Sequence, residues 1–548
     1  MRTYAEDKRI RPDILTAAVY VAASIILIFL IVSEKIFGDK GTYFVAGPFS
    51  IFVLFYLGLV LSVQKAVYIM VRLRARRSQY LNAEANMQRS MRIFSVAGVI
   101  SGVLLICACF PISIRLFGTE RGYIQIIIAG ASVLLLGIQG VLRGYLQGIG
   151  YTKPIVIADI LVAVVSLVSG IIISEVLFTY GTKVNDLFHV DEFSAVYGSS
   201  GMMAGVFIGS LVGFVQIVIS YNLRKNEIAS FVKSGAPRYL DNKNDVIAGI
   251  RPIMLLYCAP AFVSLFDQCF YSIYMRKAHE DIDFKTIYGM VFGRVEVLVA
   301  FIVIICCIPF IKSLNRIMAR VERDEHEGSR ERFRGFMRFS NMLFIPAAVF
   351  VFAVSDSLMT AVFGKSTELA NGLLMLGSTL IYFGGFMVMF SWLINHMGKS
   401  VLTMLNVGIC LAAHIALMVL FVPVLKLGAH GILLAVLVSM IVYDLLNLLE
   451  ISKILSNRQE YVKTFLMPLL SAAVAGVVAF LLNMLLAGLI GEILTLIVCL
   501  ILFWITYMIV MIFSRGIRAH ELRKVFLGQL FYGVARMIQT EEQYEGYN

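Results

Sequence analysis

Lys65, Asp267, Arg294 and Glu296 stand inside long apolar stretches of this chain. A charge in such a setting is costly and needs a reason. An arginine there can grip a phosphate with two parallel hydrogen bonds, whereas a lysine acts as a point charge. A carboxylate can carry a proton or hold a cation. Lys65 lies seven residues before Arg72, about 10 Å deeper at helical rise. It either lines the base of a cavity or snorkels to the interface. Asp267, Arg294 and Glu296 fall at similar depth on two neighbouring antiparallel segments. An Asp267–Arg294 ion pair would leave one acid over, which points to a coupling ion or an anionic substrate group. Arg143 and Gln147 close another apolar run and are either helix-end anchors or polar contacts for a substrate. Asp159 and Asp444 are single acids in apolar runs that suit interhelical hydrogen bonds, with Asp159 also a candidate for ion coupling. His414 suits a satisfied core position.

Other chemistries find little support. Gly398-Lys399-Ser400 resembles the end of a phosphate-binding loop, but Leu393 stands where a glycine is needed and the segment follows an apolar run. With no ATPase domain, work must come from an ion gradient, the membrane potential or the substrate gradient. The eight cysteines lie in apolar runs without a C-x-x-C spacing, so neither a metal site nor a disulfide framework is expected. No cofactor is implied. A membrane-embedded glycosyltransferase would want acids on a sizeable loop. Residues 179–197 offer Asp186, Asp191 and Glu192 without a recognisable active-site spacing. The expectation is a protein that is not an enzyme.

The elements that carry these residues are set by composition. Of 548 residues, 59% are hydrophobic and 15% charged, against about 25% charged in soluble domains. Soluble, disordered and fibrous classes are excluded, leaving an all-α polytopic membrane protein. A crossing takes about 20 apolar residues. By that measure about fourteen spans lie near 14–34, 44–70, 93–115, 123–145, 154–178, 198–222, 249–274, 286–311, 341–362, 370–394, 401–423, 429–450, 465–487 and 492–514. The polar N-terminus lacks the cleavage site of a signal peptide. The net charge of +12 follows topology: of 47 Lys and Arg, 35 fall on the side holding both termini, 10 on the other and two inside spans. The positive-inside rule puts both termini in the cytoplasm, and no nucleic-acid partner is needed. Residues 517–538 mix basic and apolar residues at helical spacing, as an interfacial cytoplasmic helix does.

The chain also repeats itself. Arg11-Pro12 recurs as Arg251-Pro252, MRIFS (91–95) as MRFS (337–340), and Phe117-Gly118 as Phe363-Gly364. Residues 146–150 (LQGIG) correspond to 394–398 (INHMG), and Gly198-x-x-Gly201 to Gly428-x-x-Gly431. An even number of spans per repeat keeps both halves in one orientation. The expected organisation is two pseudo-symmetric six-helix bundles (1–230 and 231–460), two additional spans (461–515) and a cytoplasmic amphipathic helix with a polar tail (516–548).

Residues 140–161 (GVLRGYLQGIGYTKPIVIADIL) resemble a signature of polysaccharide and lipid-linked sugar flippases of the MOP superfamily, R-G-x-x-Q-G-x-G-x-x-x-P. The matching residues are Arg143, Gly144, Gln147, Gly148, Gly150 and Pro154. Residues 36–48, Lys65 with the basic loop 72–92, and Tyr288-Gly289 followed by Arg294 are similar to further parts of that family. Fourteen spans fit its MurJ/SpoVB-like branch, whereas drug exporters have twelve. The resemblance implies a bacterial cytoplasmic-membrane protein, a monomer, that flips an undecaprenyl-diphosphate-linked saccharide by alternating access. It implies a cavity lined by spans 1, 2, 7 and 8, with Lys65, Arg294, Glu296, Asp267, Arg143 and Gln147 as substrate contacts. Asp159, Asp267 and Glu296 are the candidates for ion coupling. Spans 13 and 14 would flank a groove for the lipid tail among the membrane lipids. One departure is that residues 14–33 carry no charge, where MurJ-type members carry arginines. The alternative is a cation-coupled drug or metabolite antiporter of the MATE type.

Overall fold

The computed structural model describes residues 12–234, 244–278, 283–321, 323, 325–455, 462–517, 519–522 and 528–533. These residues are helical and form no strand. Thirteen helical segments are long and apolar enough to cross a membrane. The first runs 62 residues, Ile14–Ala75, about 93 Å if straight and three times the hydrocarbon thickness of about 30 Å. It therefore holds two crossings, and Gly38 is where they divide. Its φ of 69° and ψ of −175° are not helical, a conformation open to glycine because it has no Cβ. Counted so, the described residues hold fourteen helical stretches of spanning length, the number composition predicts.

The helices pack as two compact units, residues 1–308 with 394–443, and 309–393 with 444–548. The first unit is built on α1 (Pro12–Phe55), which contacts α7 (Lys153–Phe188), α8 (Phe193–Ser234), α9 (Asn244–Ala278), α10 (Phe284–Gly289) and α11 (Val297–Cys307). A π-helical turn, Tyr56–Ser62, joins α1 to α2 (Val63–Ala75). Then follow α3 (Tyr80–Cys107), the single turn α4 (Cys109–Pro111), α5 (Tyr123–Val133) and α6 (Leu136–Ile149). α16 (Ser400–Val419) packs on α9, and α17 (Gly428–Leu455) begins in this unit.

The second unit holds α12 (Ile311–Val321), α13 (His326–Ala353), α14 (Ser355–Phe363) and most of α15 (Glu368–His396). It also holds the end of α17, then α18 (Met467–Leu486), α19 (Glu492–Phe513) and the short α20 (Ala519–Leu522). Ala472, Ala475 and Ala479 of α18 meet Phe503, Tyr507 and Met511 of α19 in its core. Ile517 and Leu522 are buried there as well, so the chain after the last span folds back onto its own unit. Arg338 holds it by an ion pair to Glu521 (2.8 Å) and a hydrogen bond to the Gly516 carbonyl (2.6 Å). Much of the expected interfacial helix over 517–538 lies outside the described residues.

Two features place the polar residues. In the 140–154 signature, Gly140 and Gly144 bring α6 against the π turn and α2. A Cβ on Gly140 would stand 2.1 Å from the Leu59 carbonyl, and one on Gly144 2.7 Å from that of Gln64. Backbones this close put Arg143 beside Gln64. Of the five π turns among the described residues, two bear on these polar groups, Tyr56–Ser62 and, as the second, Met290–Glu296, which begins 234 residues later. Gly118 and Gly364 both take positive φ (65° and 78°), as do Gly150 and Gly398 (125° and 72°).

Gly140→Ala should lower stability by about 1–3 kcal/mol, because the carbonyl it meets belongs to backbone and cannot rotate away. Thermal unfolding in detergent checks this. Gly408→Ala, where a Cβ meets nothing within 4 Å, serves as the comparison and should unfold like the wild type.

Candidate functional site

Arg294 sits on the second π turn, which spreads side chains differently from a regular helix and recurs at functional positions. Gly289 and Gly293 let this turn lie directly on α1 just past its break. A Cβ on Gly289 would be 1.9 Å from the Asp39 carbonyl, and one on Gly293 2.5 Å from Thr42. The Asp39 carboxylate is thereby presented to Arg294. The guanidinium donates from Nε to Oδ1 (2.6 Å) and from Nη2 to Oδ2 (2.7 Å), and Glu34 Oε1 lies 3.1 Å from Nε. All three residues are buried. Arg294 is thus held within the protein by two acids of α1.

The ion pair weighed between Asp267 and Arg294 is replaced by another. Asp267 Oδ1 is 2.7 Å from His414 Nε2, joining α9 to α16, and Ser439 Oγ lies 3.5 Å from His414 Nδ1. Asp267 and His414 are both fully buried, and Asp267 Oδ2 has no hydrogen-bond partner. Glu296 is partly buried and lies within electrostatic reach of Asp267. Among the described residues Glu296 has no hydrogen bond or ion pair. His414 is a satisfied core histidine, as read from sequence, and its partner is an acid.

Arg143 is not an anchor at a wet helix end. It is completely buried and pairs with Asp159 of α7. Its Nε donates to Gln64 Oε1 (2.7 Å), and Gln64 Nε2 donates to Gln147 Oε1 (2.8 Å). Three of the sequence-derived candidates therefore form one network, with Gln64, which sequence reading passed over, as its bridge. Asp444 belongs to the second unit. Both its carboxylate oxygens are buried without a hydrogen-bond partner, within electrostatic reach of Tyr382, whose hydroxyl donates to Asn341 (2.9 Å). The interhelical hydrogen bond expected of Asp444 is not formed among the described residues.

Lys65 differs from both arginines. It is partly buried, and its Nζ lies 3.5 Å from His396 Nε2 at the end of α15. No carboxylate pairs with it among the described residues. Arg72, one side of whose guanidinium donates to the Tyr68 hydroxyl, is its charged neighbour on α2.

A further cluster joins the loops at the opposite ends of these helices. Glu192 is 2.6 Å from Lys285, 3.0 Å from Arg121 and 3.9 Å from Lys40. Arg121 also covers the Phe193 ring at 4.6 Å. Burial raises the Glu192 pKa, but the hydrogen bond and charge of Lys285, then the charges of Lys40 and Arg121, outweigh it and bring it below 4.5.

Helices of membrane-spanning length enclosing buried charges define a polytopic membrane protein. Solved structures share the fold. Lipid II flippase MurJ in an inward closed conformation superposes with a TM-score of 0.62 at 16% identity, covering 92% of this chain and 99% of that one. An inward-facing multidrug resistance MATE transporter of the MOP superfamily gives 0.60 at 14%, covering 80% and 95%. A MOP-superfamily transporter from Pyrococcus furiosus gives 0.53 at 14%, covering 83% and 99%. The chain has the MOP-superfamily fold. No protein-family model matches it, and no curated protein matches its sequence.

Two outcomes follow from the charges. Arg294→Ala leaves Glu34 and Asp39 buried without their cation and should cost about 3–5 kcal/mol, seen as a fall in Tm of the purified protein. The Glu192 pKa is lower in the folded chain than its ordinary 4.5, so its contribution is full at neutral pH and is lost as the medium falls below that value. The Tm difference between wild type and Glu192→Gln should accordingly be largest at neutral pH and shrink on acidification.

Proposed function

We propose that this protein is an alternating-access flippase that moves an undecaprenyl-diphosphate-linked saccharide across the bacterial cytoplasmic membrane. The observation that carries this reading is the contrast among its intramembrane cations. Arg294 and Arg143 are neutralised by acids of the same unit, whereas Lys65 has no carboxylate among the described residues and faces an imidazole. A diphosphate supplies the charge that Lys65 lacks. A lipid-linked substrate also needs an apolar path for its tail. A cavity of about 620 Å³, with an almost wholly apolar wall, lies in the second unit. Ile345 and Val349 of α13, Tyr382 and Phe383 of α15, and Phe465 and Leu469 line it. The last two belong to the first of the two spans beyond the repeat, where the family resemblance puts a tail groove.

In this proposal the protein works as a monomer with both termini in the cytoplasm. Its lobes are residues 1–230 and 231–460, with added spans over 461–515 and a cytoplasmic segment over 516–548. Transport draws on the membrane potential or an ion gradient. Arg294 with Glu34 and Asp39 acts as a latch between α1 and the second π turn and does not meet the substrate. The network of Arg143, Gln147 and Asp159 fixes α2, α6 and α7 to one another. Asp267 and Glu296 are the acids that exchange a coupling ion, since one carboxylate oxygen of Asp267 and the whole of Glu296 lack partners among the described residues. Those two acids equally favour the second reading, a MATE-type cation-coupled antiporter.

Reconstitution with a fluorescent polyprenyl-diphosphate-linked saccharide separates the two. Lys65→Arg should keep most of the flipping rate and Lys65→Glu should abolish it, with both variants inserting normally. Full flipping by Lys65→Glu would remove Lys65 from the site. Efflux of organic cations without flipping of the labelled lipid would favour the antiporter.

A further inference from the structure

We propose that His396 binds a phosphoryl group together with Lys65 and takes up a proton as it does so. The inference rests on the reading of Lys65 as the cation that meets the substrate.

Lys65 Nζ and His396 Nε2 are 3.5 Å apart, 331 residues distant in sequence. An ammonium offers only donors, so the imidazole can accept from it only with its lone pair, in the neutral form. Arg72 on α2 adds a second positive charge near Lys65, and Lys399 follows His396 by three residues in the chain. A proton added to His396 in the empty site would set two cations against each other. An arriving phosphoryl group reverses that balance. Its oxygens accept from the Lys65 ammonium and from a protonated Nε2 at once, and its negative charge favours the imidazolium. The proton comes from solvent, since His396 is exposed. The occupied site holds one proton more than the empty one, so affinity rises as pH falls through the imidazole range near ~6.5. The same chemistry would serve a lipid-borne diphosphate or free pyrophosphate.

The test uses the purified full-length protein and two probes, inorganic pyrophosphate and a short-chain polyprenyl diphosphate. Affinity is measured by calorimetry at pH ~6 and ~8, in buffers of differing ionisation heat that count the protons taken up. Protonation of the probe itself is common to all variants, so comparison with His396→Gln isolates the imidazole. On acidification the wild type should gain roughly fivefold or more in affinity beyond the gain of His396→Gln. His396→Lys, which keeps a cation at every pH, should bind as tightly at pH ~8 as the wild type does at pH ~6. Its recovery would exclude misfolding as the reason for any loss in the glutamine variant. A wild-type response to both probes, or to the lipid probe alone, supports the inference, and the second outcome names the lipid as the source of the anion. An unchanged pH dependence in His396→Gln overturns the role of His396 and leaves Lys65 in place. Binding by Lys65→Gln equal to the wild type, or no binding of either probe by the wild type, overturns the proposed substrate as well.

Discussion

The cost of an uncompensated charge in an apolar bundle organises this protein. A carboxylate or guanidinium removed from water must find an opposite charge and good hydrogen-bond geometry, or give up its ionisation. Arg294 finds Asp39 and Glu34, Arg143 finds Asp159, and Asp267 finds His414. Arg294 and Asp267 reach partners 255 and 147 residues away, whereas Arg143 and Asp159 join two consecutive helices. Among the described residues, Lys65, Glu296 and Asp444 stand outside these pairs.

Backbone geometry makes the pairing possible. Arg294 reaches α1 because Gly289 and Gly293 remove the side chains that would hold the π turn away, and because α1 is broken at Gly38 just before Asp39. Arg143 reaches Gln64 because glycines along α6 admit α2 at backbone distance. Close helix approach through small residues is the usual means of packing in a membrane, where the hydrophobic effect supplies no force between apolar helices. The signature around 140–154 is therefore as much a packing device as a set of polar groups. Two of the five π turns among the described residues lie beside Lys65 and Arg294: one ends three residues before Lys65 and the other contains Arg294.

Much of the architecture was legible in the chain because each crossing needs its own run of apolar residues. Span number is such a local pattern, and the described helices of spanning length, the first divided at Gly38, return it. The first two spans merge into one helical segment only because Gly38 breaks the helix without a loop. The candidate site was legible as a set of residues and illegible as a set of partners. Depth along a helix suggested that Asp267 faces Arg294, but depth says nothing about azimuth, and the π turn directs Arg294 to α1. Asp39 and Glu34 gave no signal of their own, standing at the end of an apolar run 255 residues or more from the arginine they neutralise. His396 reads in sequence as an ordinary helix end.

The sequence by itself determined that the chain crosses a membrane repeatedly, that its halves echo each other and that a few charges are buried. Those are properties of composition and spacing. Only the tertiary structure decided which of those charges are already neutralised and which are not. Pairing energy depends on distances of a few ångströms between segments far apart in the chain, and no local pattern encodes them. That decision moved the weight of the functional reading from Arg294 to Lys65.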